Sequence, residues 1–100
     1  MAERDAVQAD PRHYTVEAED DRVRVLRVRY GGGEKSVMHA HPAAVAIFLT
    51  EGHIRFANQD GSTQDVQGQA GDALLMPATT HLPENLAGQP LEAILVELKR

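Results

Sequence analysis

Hydrophobic residues in this chain recur at every second position within short stretches, which is the period of a β-strand with one buried face. Gly, Pro, Asp and Asn, the residues that favour tight turns, stand between these stretches. No stretch combines helical hydrophobic spacing with capping residues. The pattern therefore predicts an all-β sandwich or barrel. The predicted strands run approximately over residues 14–18, 22–30, 45–50, 54–58, 63–67, 73–76 and 91–98.

Two of these segments carry more specific expectations. In the segment 22–30 the apolar phase changes between Val25 and Leu26, which predicts a β-bulge or burial on both faces. The dipeptide Asp60-Gly61 separates two short strands, and Asp-Gly is a strong signal for a tight antiparallel hairpin.

The last two predicted strands differ in length and in the burial that we expect. Ala73–Met76 is short and apolar, and Pro77 stops it, so we expect a buried strand. Leu91–Leu98 closes the chain with its apolar residues Ile94, Val96 and Leu98 on one face.

One hundred residues are enough for one domain with a modest core. Residues 1–10 are polar with no strong pattern, and Pro11 ends them. We therefore expect a flexible N-terminal tail over residues 1–11 and a single domain over residues 12–100. The first ten residues lack the apolar core of a signal peptide, and no apolar run reaches the length of a membrane span. The sequence predicts a soluble, cytoplasmic protein.

The composition restricts the chemistry that the chain can perform. Fifteen acidic and ten basic residues give a net charge of -5, which does not favour binding to nucleic acid or to an anionic membrane. Arg22, Arg24, Arg27 and Arg29 form the one basic cluster, and a solvated or interface face is the preferred interpretation. The chain has no cysteine, so histidines and carboxylates must supply any metal ligands.

His39 and His41 head the longest apolar run. Side chains two apart on a strand point the same way and lie roughly 6.6 Å apart at the backbone, so both rings can reach one ion. A His-x-His pair alone is more often a surface or hydrogen-bonded pair than a metal site, and a third ligand is needed. His81, just after the Pro77 turn, is the candidate.

The spacing of Gly33, His39, His41 and Gly52 resembles the first motif of the cupin superfamily. That motif is glycine, five residues, His-x-His, three or four residues, glutamate, six residues and glycine. With the three-residue spacing that fits Gly52, the glutamate position falls on Val45, which cannot bind a metal.

The second cupin motif is similar to the spacing of Gly71, Pro77, His81 and Asn85. The segment between the proline and the histidine is one residue short and lacks the usual glycine. Both motifs occur in the right order within residues 14–98. The run Asp-Pro-Arg-His-Tyr at residues 10–14 further resembles small bacterial cupins associated with β-alanine degradation.

The resemblance implies a cupin double-stranded β-helix, a small jelly-roll barrel that is commonly a homodimer, with His39, His41 and His81 facing its interior. Imidazole ligands suit Fe, Ni, Cu and Zn alike, and Mn is a further candidate. Iron is slightly favoured. Residues that could form the substrate pocket are Met38, Val45, Ile47, Met76 and Asn85, although core packing is the preferred interpretation for each apolar one.

Two functions from different classes follow from the three-histidine pattern. In the first, the metal binds a small carboxylate, thiol or dicarbonyl metabolite, and a dioxygenase-like or an isomerase- or lyase-like reaction follows. In the second, the barrel is a small-molecule binding or sensing module that breaks no bond, as the missing glutamate and the shortened second motif suggest.

Overall fold

The protein is described by a computed structural model covering residues 4–99. Residues 1–3 of the predicted tail lie outside the described residues. Nine antiparallel strands and one helical turn make up the fold over residues 4–99. The elements are α1 (Ala6–Ala9), β1 (Tyr14–Glu19), β2 (Val23–Tyr30), β3 (His39–His41), β4 (Ala44–Phe48), β5 (Gly52–Asn58), β6 (Thr63–Gly68), β7 (Ala73–Met76), β8 (Thr79–Asn85) and β9 (Leu91–Leu98). The predicted all-β class is confirmed.

The strands form two sheets whose inner faces enclose the core. One sheet has the order β1-β2-β9-β4-β7 and the other has the order β3-β8-β5-β6. Buried side chains such as Leu26, Val28 and Leu95 make the core. No helix within residues 4–99 is long and apolar enough to cross a membrane.

The predicted hairpin is confirmed as the antiparallel pair of β5 and β6. Gly61 has φ of 88°, a conformation that glycine adopts without steric cost. The Asp60 carboxylate accepts a hydrogen bond from the Ser62 amide at 2.9 Å, which holds the turn closed.

The phase change in β2 reflects burial on its two faces and not a bulge in that strand. Leu26, Val28 and Tyr30 are buried, whereas Val23 and Val25 are half-buried on the opposite face. The pairing of β2 with β9 runs without interruption. The irregularity lies in β1 instead, where the register with β2 shifts between residues 16 and 18.

The outer face of the five-stranded sheet carries a row of aliphatic side chains. Val25, Val96, Val45 and Leu75 stand in register across four strands. Leu75 is 80% exposed, so the prediction that β7 is a buried strand is wrong. It is an edge strand, with one neighbour in its sheet.

Strand β9 is apolar on both faces, and its buried face differs from the one that the sequence emphasises. Ile94, Val96 and Leu98 share a face, as predicted, but that face is the outer one. The inner face is buried and carries Leu91, Ala93, Leu95 and Glu97.

The segment 4–11 packs on the barrel, although the sequence predicts a flexible tail there. The Asp5 side chain caps α1, and Ala6 is completely buried. The Ala40 amide donates a hydrogen bond to the Arg4 carbonyl at 2.9 Å. Capping and burial therefore make this segment part of the folded unit.

Gly68, at the end of β6, lies directly against the buried ring of Phe48, and a Cβ atom there would overlap the ring. We expect Gly68→Ala to lower the free energy of unfolding by roughly 1–3 kcal/mol, since the ring must move within a packed core. Urea unfolding measures the effect. Gly88→Ala is the control, because a Cβ at Gly88 meets nothing within 4 Å. Equal losses in the two variants would contradict the prediction.

Candidate metal centre

Two strands of the smaller sheet place the three predicted histidines side by side. β3 pairs with β8 so that His39 stands opposite His81 and His41 stands opposite Thr79. His39 and His41 are buried while Ala40 between them is half-buried, so both rings point into the barrel. The register of one short strand pair thus brings together His39 and His81, which are 42 positions apart.

The three rings surround a common point in the barrel interior. Their centroids lie 4.7 Å apart for His39 and His41, and 5.2 Å from His81 to each of the other two. One ligating nitrogen from each ring lies within 4.8 Å of the others. The Nε2 atoms of His39 and His81 are buried and have no hydrogen-bond partner. Because buried polar atoms are normally paired, these nitrogens fit a role as metal ligands.

Hydrogen bonds on the far side of two rings fix which nitrogen is free to bind. His39 Nδ1 lies 2.8 Å from the Val37 carbonyl oxygen and 3.2 Å from Ser36 Oγ. His41 Nδ1 lies 2.6 Å from a Glu97 carboxylate oxygen. Since a carbonyl and a carboxylate can only accept, both Nδ1 atoms carry the proton. The lone pair of each ring is then on Nε2, the tautomer required for a metal held through that atom.

Burial keeps two of the rings neutral at neutral pH. Desolvation, followed by repulsion from His41, lowers the pKa of His39 from 6.5 to about 4. Desolvation, followed by repulsion from His41 and His39, lowers the pKa of His81 from 6.5 to about 3. Neutral imidazole is the form that binds a metal. The donor set of three such nitrogens fits a divalent transition ion.

Glu97 is the main polar residue of the site that the sequence analysis does not identify. It lies on the inner face of β9 and is only 1% exposed. One carboxylate oxygen meets His41, and the other accepts bonds from Arg24 Nε at 2.9 Å and Nη2 at 2.7 Å. Burial alone raises the pKa of Glu97, but the bonds from His41 and Arg24 outweigh it and lower the pKa.

This ion pair corrects the interpretation of the arginine cluster as one solvated or interface face. Arg24 points inward toward Glu97 and Asp5. Arg27 lies on the outer face and pairs with Glu17 and Glu92. Arg24 and Arg27 therefore lie on opposite faces of the sheet, and Arg22 precedes β2.

Ser36 links His39 to the buried Asp10 carboxylate of the N-terminal segment. Ser36 Oγ donates to the Asp10 carboxylate and also lies near His39 Nδ1. The same Asp10 oxygen lies 2.7 Å from His13 Nδ1. His13 is 5% exposed and stacks on Tyr30 with ring centroids 4.3 Å apart. His13 is therefore a buried side chain held by a hydrogen-bonding contact and by stacking.

Of the five predicted pocket residues, only Met76 lines the cavity beside the histidines. Val45 and Ile47 alternate with the buried residues of β4 and lie on its outer face. Met38 is exposed on the surface. Asn85 is buried, but its side chain holds a loop by donating to the Gly31 and Gln89 carbonyls and accepting from the Ala87 amide.

The position on β4 that could supply a fourth metal ligand is Ala46, and not Val45 as the motif spacing predicts. Val45 points away from the histidines, whereas Ala46 is buried and lines the cavity. Ala46 corresponds to the four-residue spacing allowed by the first motif. Its methyl group offers no metal ligand, so the inner face of β4 contributes only apolar surface.

Two adjoining cavities border the histidine cluster. The inner one has a volume of about 50 Å³ and reaches His41 and His81. The second has a volume of about 120 Å³, also reaches His81 and includes Asn58 and Thr79 among its walls. Both are bounded by Phe56, Val66, Leu74 and Met76. A ligand at the histidines would therefore lie among apolar side chains.

Comparison with known proteins identifies the fold. A cupin domain protein from Bordetella pertussis Tohama I is 22% identical with a TM-score of 0.80, over 100% of this chain and 99% of that chain. A double-stranded β-helix protein from Klebsiella pneumoniae is 18% identical with a TM-score of 0.68, over 87% of this chain and 77% of that chain. Bacillus subtilis oxalate decarboxylase, studied for its Mn(II) centres, is 22% identical with a TM-score of 0.60, over 77% of this chain and 22% of that chain.

These structures share the fold with this chain, and the predicted double-stranded β-helix is confirmed. No curated protein matches the sequence, and the association with β-alanine degradation stays a prediction. Residues 26–97 match the cupin domain family. This span includes the three histidines and eight of the nine strands, β2 among them from Leu26 onward. The chain therefore belongs to the cupin domain family.

Proposed function

We propose that this protein binds a divalent transition metal through His39, His41 and His81 and acts on a small carboxylate, thiol or dicarbonyl metabolite. The observation that carries the proposal is the pair of buried, unpartnered Nε2 atoms at His39 and His81 beside a third ring. Iron is slightly favoured, and Mn, Ni, Cu and Zn remain alternatives. The Mn(II) centres of the B. subtilis oxalate decarboxylase support a transition metal in this fold.

The chain's own residues would orient the ligands and exclude water. Glu97 and the Val37 carbonyl fix the tautomers of His41 and His39. Three neutral imidazoles leave the full double charge of an ion in place, which favours an anionic ligand atom. When bound, a divalent metal supplies a Lewis acid that polarises or acidifies a coordinated group. The apolar wall strengthens such electrostatic effects because it excludes water.

The cavity offers little acid-base chemistry of its own. The hydroxyl groups of the inner cavity belong to Tyr14 and Tyr30, whose oxygen atoms lie 2.7 Å from each other. Burial raises the pKa of both tyrosines above 10, so neither is a base near neutral pH. This observation favours the second candidate function, a binding or sensing cupin without catalysis. A dioxygenase-like or an isomerase- or lyase-like reaction would depend on the metal.

Metal analysis of the purified protein tests the proposal. We expect stoichiometric uptake of at least one of Fe(II), Mn(II), Co(II), Ni(II) or Zn(II) at neutral pH. His81→Ala should weaken uptake by more than the roughly 10–100-fold that loss of an outer hydrogen bond costs. His53→Ala is the matched control, because His53 lies on β5 with a 36% exposed side chain that faces Asp65. Native protein that takes up no transition metal would end the proposal.

Oxygen consumption of the iron-loaded protein separates the two candidate functions. The panel should include small carboxylates, thiols and diketones, and isomer or lyase products should be followed by NMR. Turnover that disappears in His81→Ala supports an enzyme. Ligand binding without turnover supports the binding or sensing module.

A further inference from the structure

The walls of the two cavities carry no charged side chain. Among residues 4–99, no Lys, Arg, Asp or Glu lines the inner cavity or the adjoining one. The polar groups of the adjoining cavity are neutral and belong to Asn58, Gln64 and Thr79, with His81 at its inner end. A quarter of the residues of the chain are charged, but the walls of these two cavities are formed by uncharged side chains.

The nearest buried charges already have partners elsewhere. Arg24 lies behind His41 and is bound to Glu97 and Asp5. Arg24 is not among the residues lining either cavity. Within residues 4–99, therefore, no cation lines either cavity to pair with a carboxylate that a ligand would place away from the histidines.

The cavities are also small. Volumes of about 50 and 120 Å³ are well below the 300–1,000 Å³ of sites for drug-sized ligands. A ligand held at His41 and His81 would therefore have few atoms. Its remainder would lie between Phe56, Val66 and Met76, and a charge buried there without a partner is strongly disfavoured.

Building on the proposed function, we infer that the site selects small metabolites whose only charge lies on the metal-binding group and whose remainder is uncharged and mainly apolar. Dicarboxylates with a second carboxylate away from that group are rejected. Zwitterions whose ammonium group lies away from the metal-binding group, such as β-alanine, are rejected for the same reason. This selection narrows the predicted carboxylate, thiol or dicarbonyl class to its monoanionic and neutral members.

Matched ligand pairs test the inference on Co(II)-loaded protein at pH 7.5, with the cobalt visible spectrum as the readout. Butyrate is compared with succinate, and propionate with β-alanine, because each pair differs mainly in one added charged group. We expect the first member of each pair to bind at least ten-fold more tightly. Equal or tighter binding of succinate or β-alanine overturns the inference, and so does failure of both members of a pair to perturb the spectrum at 50 mM.

A positive charge introduced into the cavity wall should weaken the preference for butyrate over succinate. Met76 borders both cavities, so Met76→Lys should raise the succinate-to-butyrate affinity ratio at least ten-fold. Gln64→Lys places the same charge at an exposed position of the adjoining cavity and tests the idea without burying a lysine in the core. Leu49→Lys, at an exposed position outside both cavities, should leave the ratio unchanged. An unchanged ratio in both wall variants overturns the inference.

The two proposals fail in different ways. A native protein that takes up no Co(II) or other transition metal removes the proposed function and the inference with it. A protein that takes up Co(II) stoichiometrically but binds succinate as well as butyrate retains the metal site and loses only the ligand selection.

Discussion

Glu97→Leu should lower the free energy of unfolding by roughly 3–5 kcal/mol, the cost of removing one partner of a buried ion pair. The substitution leaves the mostly buried Arg24 guanidinium without its main partner and removes the acceptor of the His41 Nδ1 proton. Because that acceptor holds the His41 tautomer, we also expect metal affinity to fall by about 10–100-fold.

One further variant separates charge from shape at position 97, and a second variant elsewhere on β9 is the control. Glu97→Gln retains a side chain of the same size and an oxygen that can accept one bond, but it removes the charge. Its metal affinity should lie between those of the native protein and Glu97→Leu. Glu92→Gln is the matched control, because Glu92 is also on β9 and also pairs with arginines, but on the outer face. We expect little change in stability or metal affinity there, since exposed ion pairs contribute little.

Urea unfolding of the metal-free proteins and calorimetric titration with a divalent metal give the two quantities. Glu97→Leu with native stability would show that the His41–Glu97–Arg24 contacts contribute no net energy. Native metal affinity in Glu97→Leu would show that the His41 tautomer does not depend on the carboxylate.

The histidine cluster can be predicted from the sequence because it depends on short-range features, namely strand alternation and two short motifs. His39 and His41 share a face through strand alternation alone, and their pairing with His81 follows from the order of the two motifs. The hairpin of β5 and β6 is equally local, because one Asp-Gly turn specifies it. These parts require no knowledge of how the two sheets pack.

The burial of Glu97 at the site could not be predicted from the sequence, because β9 is apolar on both faces. Ile94, Val96 and Leu98 are larger than Ala93, so the pattern favours the wrong face as the core. The inner face also holds Leu91 and Leu95, and Glu97 continues that series at the next alternate position. Only the paired His41 and Arg24, from distant parts of the chain, make its burial favourable.

The predicted pocket fails at Val45 and Ile47 for a related reason. On β4, Val45 and Ile47 face outward, and Val45 joins the aliphatic row with Val96 and Leu75. The smaller Ala44 and Ala46 face inward, where the imidazole rings and Phe48 already occupy space. Large hydrophobic side chains are usually buried. Here the imidazole rings on the facing strands leave little volume for large side chains at positions 44 and 46.

The metal-free protein should lose stability steadily as the pH falls below about 6.5. The pKa values of His39 and His81 lie near 4 and 3 in the folded state, below the value of about 6.5 expected when unfolded. The unfolded chain therefore binds more protons in this window, so stability is fully present above pH 6.5 and falls with pH. Each histidine contributes a slope of about 1.4 kcal/mol per pH unit at most.

Urea unfolding between pH 7.5 and 4.5 measures this slope, and a substitution assigns it. His81→Leu should reduce the slope between pH 6 and 5 by the contribution of about one bound proton. The variant has no ring at this position that could take up a proton in the unfolded chain. Bound metal should make the fall steeper, since protons compete with it for the same nitrogens. A flat profile in the native protein would mean that the rings of His39 and His81 are solvated and charge freely, a result incompatible with ligation at a buried site.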